Sequence, residues 1–258
     1  MSDPRVFITG ASSGIGGALA RHYARRGAAL GLAARRGDRL AALAAELSAA
    51  GAAAAFAYPL DVTDADALQA AASDFMGRAG VPDVVVASAG ISVGTLTECR
   101  EDVAVIRRIL DTNVYGMAAT FSPFILPMQR RGRGRLAGIA SVAGIRGLPG
   151  AEAYSASKAA AIAYLESLRV ELFASGVRVV TIAPGYIETP MTAHNPYPMP
   201  FMLPVDEAAR RFARAIERGA SYTVIPWQMG IVAKGLRLLP NWLYDRLFAR
   251  APHKPREL

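Results

Sequence analysis

Tyr154 and Lys158 stand four residues apart at the start of a helical pattern that runs to about residue 174. Side chains at this spacing share one face of a helix. An ammonium beside a phenol favours the phenolate and lowers a pKa that is about 10 when unperturbed. Such a pair can pass a proton to or from a substrate oxygen near neutral pH. The lysine is informative because the chain uses so few: Lys158, Lys234 and Lys254 are the three lysines among 29 basic residues. In an arginine-rich chain, a compact and strongly hydrated ammonium at this position points to a specific need. Ser141, just after an apolar run, could hydrogen-bond a substrate carbonyl. Together the three residues suggest proton transfer at a carbonyl or alcohol.

A second constellation lies near the N-terminus. The run Thr9-Gly10-Ala11-Ser12-Ser13-Gly14-Ile15-Gly16 follows an apolar segment and opens a helical pattern. Glycines so spaced let the backbone turn tightly and approach a pyrophosphate, to which the helix N-terminus offers unpaired N–H groups. The spacing has three residues between the first two glycines, unlike G-x-G-x-x-G. About 20 residues further on, an NAD site would carry an acid for the ribose hydroxyls. Here the second apolar run ends Ala34-Arg35-Arg36, with no acid before Asp38. A guanidinium can grip a 2′-phosphate that a carboxylate would repel, which favours NADP(H) over NAD(H). Two solvated arginines in an arginine-rich chain are the plainer alternative.

The elements that must position these groups alternate along the chain. Residues 5–9, 29–34, 53–58, 83–87, 135–140, 177–182 and 222–226 read as seven strands, with helical patterns between them such as 15–26, 39–50 and 65–79. The strands are nearly all apolar, as expected of a parallel sheet covered on both faces. The expected class is α/β: a doubly wound Rossmann fold with a seven-stranded parallel sheet and helices on both faces. Residues 190–204 hold five prolines and three methionines, which excludes regular helix or central strand. Residues 1–226 are expected to form the catalytic domain. Residues 227–258 then read as a basic amphipathic tail, too short to own a core, interrupted near Pro240.

In these motifs the sequence resembles the short-chain dehydrogenase/reductase family, over nearly the whole chain to about Pro226. They occur in order: Thr9-Gly10-x-x-x-Gly14-x-Gly16, Asp61-Val62, Asn113, Ser141, Tyr154-x-x-x-Lys158 and Pro184-Gly185. The resemblance implies Tyr154 as general acid/base and Ser141 as the residue that orients and polarises the carbonyl. It implies that Lys158 lowers the tyrosine pKa and binds the nicotinamide ribose, and that Asn113 supports a proton relay through water. Thr9, Gly10, Ser12, Ser13, Gly14, Ile15 and Gly16 would form the phosphate turn, Arg35 and Arg36 would take the 2′-phosphate, and Asp61 and Val62 would flank the adenine. Ala89 and Gly90 would support the cofactor after the fourth strand, and Pro184, Gly185, Ile187 and Thr189 would hold the nicotinamide end. The family's Asn-Asn-Ala-Gly is here Ala87-Ser88-Ala89-Gly90, which would loosen support around the cofactor. The family's common basic residue before the second turn glycine is Ser13, and its glycine-rich C-terminal end is replaced by the basic tail. A homodimer through the helical regions 103–126 and 153–174 is what the resemblance implies.

Composition narrows the remaining options. With 52% hydrophobic and 19% charged residues, the 258-residue chain is not disordered, and its one cysteine, Cys99, excludes a disulfide scaffold. No apolar run approaches the roughly 18 residues of a membrane span. The chain enters Val6-Phe7-Ile8 without a leader-like segment, so the cytoplasm is the expected location. His22, His194 and His253 form no metal-ligand pattern, and all three read as non-catalytic. The net charge of +8 is not read as a nucleic-acid footprint: residues 227–258 hold six basic and two acidic residues, half of the excess, without interleaved stacking aromatics. Trp227, Ile231, Leu236, Leu239, Trp242 and Leu243 would pack on the parent domain or a second subunit; the competing reading is peripheral membrane contact aided by Lys234, Arg237, Arg246 and Arg250. The 190–204 loop sits where the family carries its substrate lid, and its apolar composition suggests an apolar ketone or secondary alcohol. An NADP-dependent carbonyl reductase or alcohol dehydrogenase is the expected function. The alternative from another class is a non-catalytic NADP-binding regulatory protein of the same fold; a sugar epimerase or dehydratase fits less well, because no extra substrate domain is present.

Overall fold

The computed structural model describes residues 3–193 and 195–256; His194 lies outside them. Seven strands form one parallel sheet: β1 (Arg5–Thr9), β2 (Ala29–Ala34), β3 (Ala54–Pro59), β4 (Val84–Ala87), β5 (Gly134–Ile139), β6 (Val177–Pro184) and β7 (Tyr222–Ile225). Their order is β3-β2-β1-β4-β5-β6-β7. The expected doubly wound fold is therefore present, with strand bounds shifted by one or two residues. The winding reverses between β1 and β4, and in open sheets of this kind ligands bind at the carboxyl ends of the strands flanking that point.

Alternation along each strand builds two apolar layers. Val6 and Ile8 of β1 join Leu30 and Leu32 against α1 (Gly14–Ala24), α2 (Gly37–Ala49) and α7 (Val205–Arg218). Phe7 points to the other face, with Phe75 of α3 (Ala65–Ala79), Phe124 of α5 (Gly116–Arg131) and Leu165 of α6 (Glu152–Glu171). Its ring centroid lies 5.0 Å from that of Phe124, 5.6 Å from Phe75 and 5.8 Å from Tyr58. Deleting so well-packed an aromatic leaves a cavity that its neighbours cannot fill. Phe7→Ala is expected to cost roughly 3–5 kcal/mol, read as a lowered denaturant midpoint with unchanged slope; a loss below about 1 kcal/mol would contradict this packing.

Between α4 (Asp102–Leu110) and α5 the chain makes a π-helical turn, Asp111–Tyr115, in one continuous rod. Beyond β7, α8 (Trp227–Leu238) and α9 (Asn241–Phe248) flank Pro240, where the sequence pattern breaks. Met229 and Ala233 of α8 and Tyr244 of α9 are buried. The Tyr244 hydroxyl donates to the Gly147 carbonyl at 2.6 Å, and the Arg146 guanidinium covers its ring. Part of the expected apolar face packs on the parent domain. Leu236, Leu239 and Leu243 are half-buried, but Trp227, Ile231 and Trp242 are exposed, as are Leu238 and Leu247. No helix among the described residues is long and apolar enough to cross a membrane.

Candidate functional site

The glycine-rich turn joins β1 to α1. Gly10 holds φ +69°, a left-handed conformation that side chains disfavour, and a Cβ there would stand 2.7 Å from the Ala89 nitrogen. A Cβ on Gly16 would run into the Gly10 carbonyl. The close approach of turn, helix and β4 loop therefore depends on both glycines. Ser13 caps α1 in an extended conformation without using its side chain on the helix, and the first turn carries no acid. Its amides and positive dipole end are directed at the strand ends, as an anion cradle requires.

A cleft of about 380 Å³ opens there, at the carboxyl ends of the central strands. Its walls include Gly10, Ser12, Ser13, Gly14 and Ile15 from the turn, Arg35 and Arg36 after β2, and Asp61 and Val62 after β3. Ala89, Gly90, Ser141, Tyr154, Lys158, Pro184, Gly185, Ile187 and Thr189 complete it. Most sequence-predicted site residues are thus brought to one cavity. Three are not on its wall. Thr9 is fully buried, its hydroxyl donating to Val86 O at 3.4 Å; Gly16 lies behind the turn; Asn113 lies beneath the β4 loop. Each shapes the cleft from behind. Leu60, Ile91, Thr112, Met191 and Thr192 line it without having been singled out from sequence. Leu60 and Ile91 follow strand ends, Met191 and Thr192 lie in the loop beyond β6, and Thr112 comes from the π turn, which no local motif signals.

The loop after β4 shows how support is kept without the family's two asparagines there. Asn113, in the π turn, accepts from the Ile91 N–H at 2.8 Å and donates to the Ile91 carbonyl at 2.9 Å and the Ser157 hydroxyl at 3.0 Å. The loosening expected from Ser88 is therefore offset by a clamp on the next residues. Its side-chain amide is fully engaged by protein groups, and the wide π turn is what lets it reach under the loop.

Ser141 follows β5 and caps a 3-10 turn, its oxygen accepting from Ala143 N at 3.1 Å. The Lys158 ammonium donates to the Ile139 carbonyl at 2.8 Å and lies 5.7 Å from the centre of the Tyr154 ring. Burial pushes Lys158 down to about 8. Burial raises the Tyr154 pKa above the ordinary phenol value, because removal from water disfavours the phenolate, and a hydrogen bond with Ser141 works in the opposite direction.

At the adenosine end, Arg36 donates to the Ser12 hydroxyl at 3.0 Å and the Ser13 hydroxyl at 2.8 Å. Arg35 lies 3.9 Å from Asp61, whose other oxygen accepts from Thr63. Desolvation, Arg39 and Arg35 all lower the Arg36 pKa, so the guanidiniums crowd together. Among the described residues no carboxylate pairs with Arg36.

The family model described as short chain dehydrogenase matches residues 4–198. An uncharacterized oxidoreductase of Myxococcus xanthus is 43% identical over 245 residues, covering 95% of this chain and 96% of its own. The 11-beta-hydroxysteroid dehydrogenase A of Sesamum indicum is 31% identical, over 98% of this chain and 77% of its own. A short-chain type dehydrogenase/reductase from Mycobacterium marinum superposes with a TM-score of 0.79 at 29% identity, over 93% of this chain and 97% of that one.

Proposed function

Since the chain belongs to the short-chain dehydrogenase/reductase family, we propose that this oxidoreductase transfers a hydride between NADP(H) and the carbonyl or secondary alcohol of a substrate with an apolar body. The observation that carries the reading is the meeting of Ser141, Tyr154 and Lys158 in the same cleft as the uncapped N-terminus of α1. The residues present fit a dinucleotide: Gly10 lets the turn lie against the Ala89 backbone where a Cβ would collide, and the first turn of α1 carries no acid and no side-chain cap on its amides. Gly10 to Ile15 would hold the pyrophosphate, Arg35 and Arg36 the 2′-phosphate, Asp61 and Val62 the adenine, and Ile187 and Thr189 the nicotinamide end. When bound, the reduced cofactor supplies the hydride.

The chain's own part is orientation and proton transfer. Ser141 donates a hydrogen bond to the substrate oxygen and polarises the carbonyl. Tyr154 gives that oxygen its proton in reduction and takes it back in oxidation. Lys158 holds the ribose and keeps a positive charge near the phenol. Raising the Tyr154 pKa keeps the phenol protonated at neutral pH, the form that reduction needs. Reductive kcat/KM is therefore expected to stay level across neutral pH and to fall as pH rises through the phenol's pKa, whereas oxidative kcat/KM rises over the same range. A reductive profile that instead climbs with pH would remove Tyr154 as the proton donor.

Residues 1–226 are taken as the catalytic unit and 227–258 as its appendage. Exposed apolar side chains on α4, α5 and α6 (Val103, Leu126 and Val170) support a homodimer through those helices. The exposed Trp227, Ile231 and Trp242 beside Lys234 and Arg246 support a second contact, with an anionic membrane surface. Co-sedimentation of the protein with anionic liposomes tests it; no partitioning would discard it. The central test is calorimetric titration with NADPH and with NADH, followed by a screen of ketones for cofactor oxidation. Binding of neither dinucleotide would overturn the reading.

A further inference from the structure

After α9 the chain does not leave the molecule. Residues 250–256 turn back against Ser92 and Gly94 of the loop after β4 and against Gly150, bringing Lys254 beside Tyr154. The Pro255 carbonyl accepts from the Gly94 N–H at 2.8 Å, and a Cβ on Gly94 would collide with the Lys254 carbonyl. Arg256 grips Asp102 through two hydrogen bonds of 2.9 and 3.1 Å and reaches Glu101 at 3.0 Å. Asp102 is 4% exposed and also accepts from the Leu96 N–H, so the anchor is built into the protein. The strap thus has a fixed register, and its register decides where Lys254 goes.

Lys254 is half-buried. Its ammonium donates to the Ser92 hydroxyl at 2.7 Å and lies 5.7 Å from the centre of the Tyr154 ring, the same distance as Lys158. Two of the chain's three lysines therefore flank one tyrosine, in a protein that uses arginine for nearly every other cation. Glu101 and Asp102, on which the strap is anchored, are committed to Arg256. Among the described residues no carboxylate pairs with Lys254. Burial of the ammonium pushes it down to about 8.

A half-buried cation whose hydrogen-bond partner among the described residues is a neutral hydroxyl, beside the phenol proposed to handle the reacting oxygen, is suited to receive an anion. We infer that Lys254, presented by the C-terminal strap with Ser92, is a specificity-determining residue that binds a carboxylate on the substrate. The inference rests on the carbonyl/alcohol reading of the site and refines it: the substrate is an oxo or hydroxy acid anion with an apolar body. The carboxylate pairs with Lys254 and Ser92 while the reacting oxygen meets Tyr154 and Ser141. The apolar body faces Tyr186 and Tyr197, whose rings lie 6.4 Å apart in the loop beyond β6.

The test needs no knowledge of the natural substrate. Octanoate and octanamide, alike except for charge, are titrated by calorimetry into full-length protein, Lys254→Met and Lys254→Arg. Octanoate is expected to bind roughly tenfold tighter than octanamide, as one charge-assisted contact allows. The ratio falls to about one in Lys254→Met and is largely retained in Lys254→Arg, which a purely structural role would not produce. Equal affinities in the unaltered protein, or a preference that survives in Lys254→Met, would overturn the inference. Turnover is a separate readout. Reduction of neutral ketones without any carboxylate preference leaves the proposed function standing and removes Lys254 from recognition. Lys254-dependent octanoate binding in a protein that reduces no carbonyl does the reverse.

Discussion

Tyr154→Phe is expected to lower kcat by roughly two to four orders of magnitude while leaving NADPH binding and thermal stability nearly unchanged. The substitution deletes one oxygen and keeps the ring, so the packing around α6 and the contacts of Lys158 and Lys254 with the ring face are conserved. What goes is the group proposed to move the proton. In its absence a developing alkoxide keeps the Ser141 hydroxyl for stabilisation but loses the hydroxyl proposed to donate the proton directly to it. Ser141→Ala should be milder, roughly one hundred- to one thousandfold, as for loss of one preorganised donor. Steady-state rates on a ketone that the unaltered protein reduces, with a parallel calorimetric titration of NADPH, check both. A Tyr154→Phe enzyme that keeps more than a tenth of the rate would show that the proton comes from elsewhere.

The fold was largely legible because burial on both faces leaves parallel strands as unbroken apolar runs. Val84–Ala87 or Leu30–Ala34 could hardly be read otherwise. The glycine-rich turn and the Tyr154/Lys158 spacing are local, so their geometry follows from a few residues of sequence. Features made by distant contacts were not legible. The direction of the tyrosine pKa depends on how much water the whole cleft excludes, which no i, i+4 pair reveals. In the π turn at Asp111–Tyr115, Asn113 bonds Ile91 and Ser157, partners 22 and 44 positions away. The contact of Lys254 with Ser92 spans 162 positions. The strap carrying it reads in sequence as the frayed end of a basic tail. There the rarity of lysine is the one signal in the sequence.

The same contrast between lysine and arginine governs the cofactor's other end, where the second large effect is expected. Arg35→Ala/Arg36→Ala should weaken NADPH binding roughly one hundredfold, the loss of about two charged hydrogen bonds to a phosphate, while NADH binding changes by less than about threefold. Arg36 sits over Ser12 and Ser13, crowded by Arg35 and Arg39, and no carboxylate among the described residues offsets it. A 2′-phosphate arriving there relieves repulsion among the guanidiniums and finds a planar fork of donors ready to receive it. NADH brings only a hydroxyl, which gains little from either. Because both side chains are exposed, the attraction is screened by salt. The preference for NADPH over NADH should therefore shrink as ionic strength rises, and in the double variant it should be small at any salt. Calorimetric titrations of both dinucleotides into both proteins, at low and high salt, measure this directly. Tighter binding of NADH by the unaltered protein would refute the phosphate role of the two arginines, and the proton-transfer chemistry at Tyr154 would stand without it.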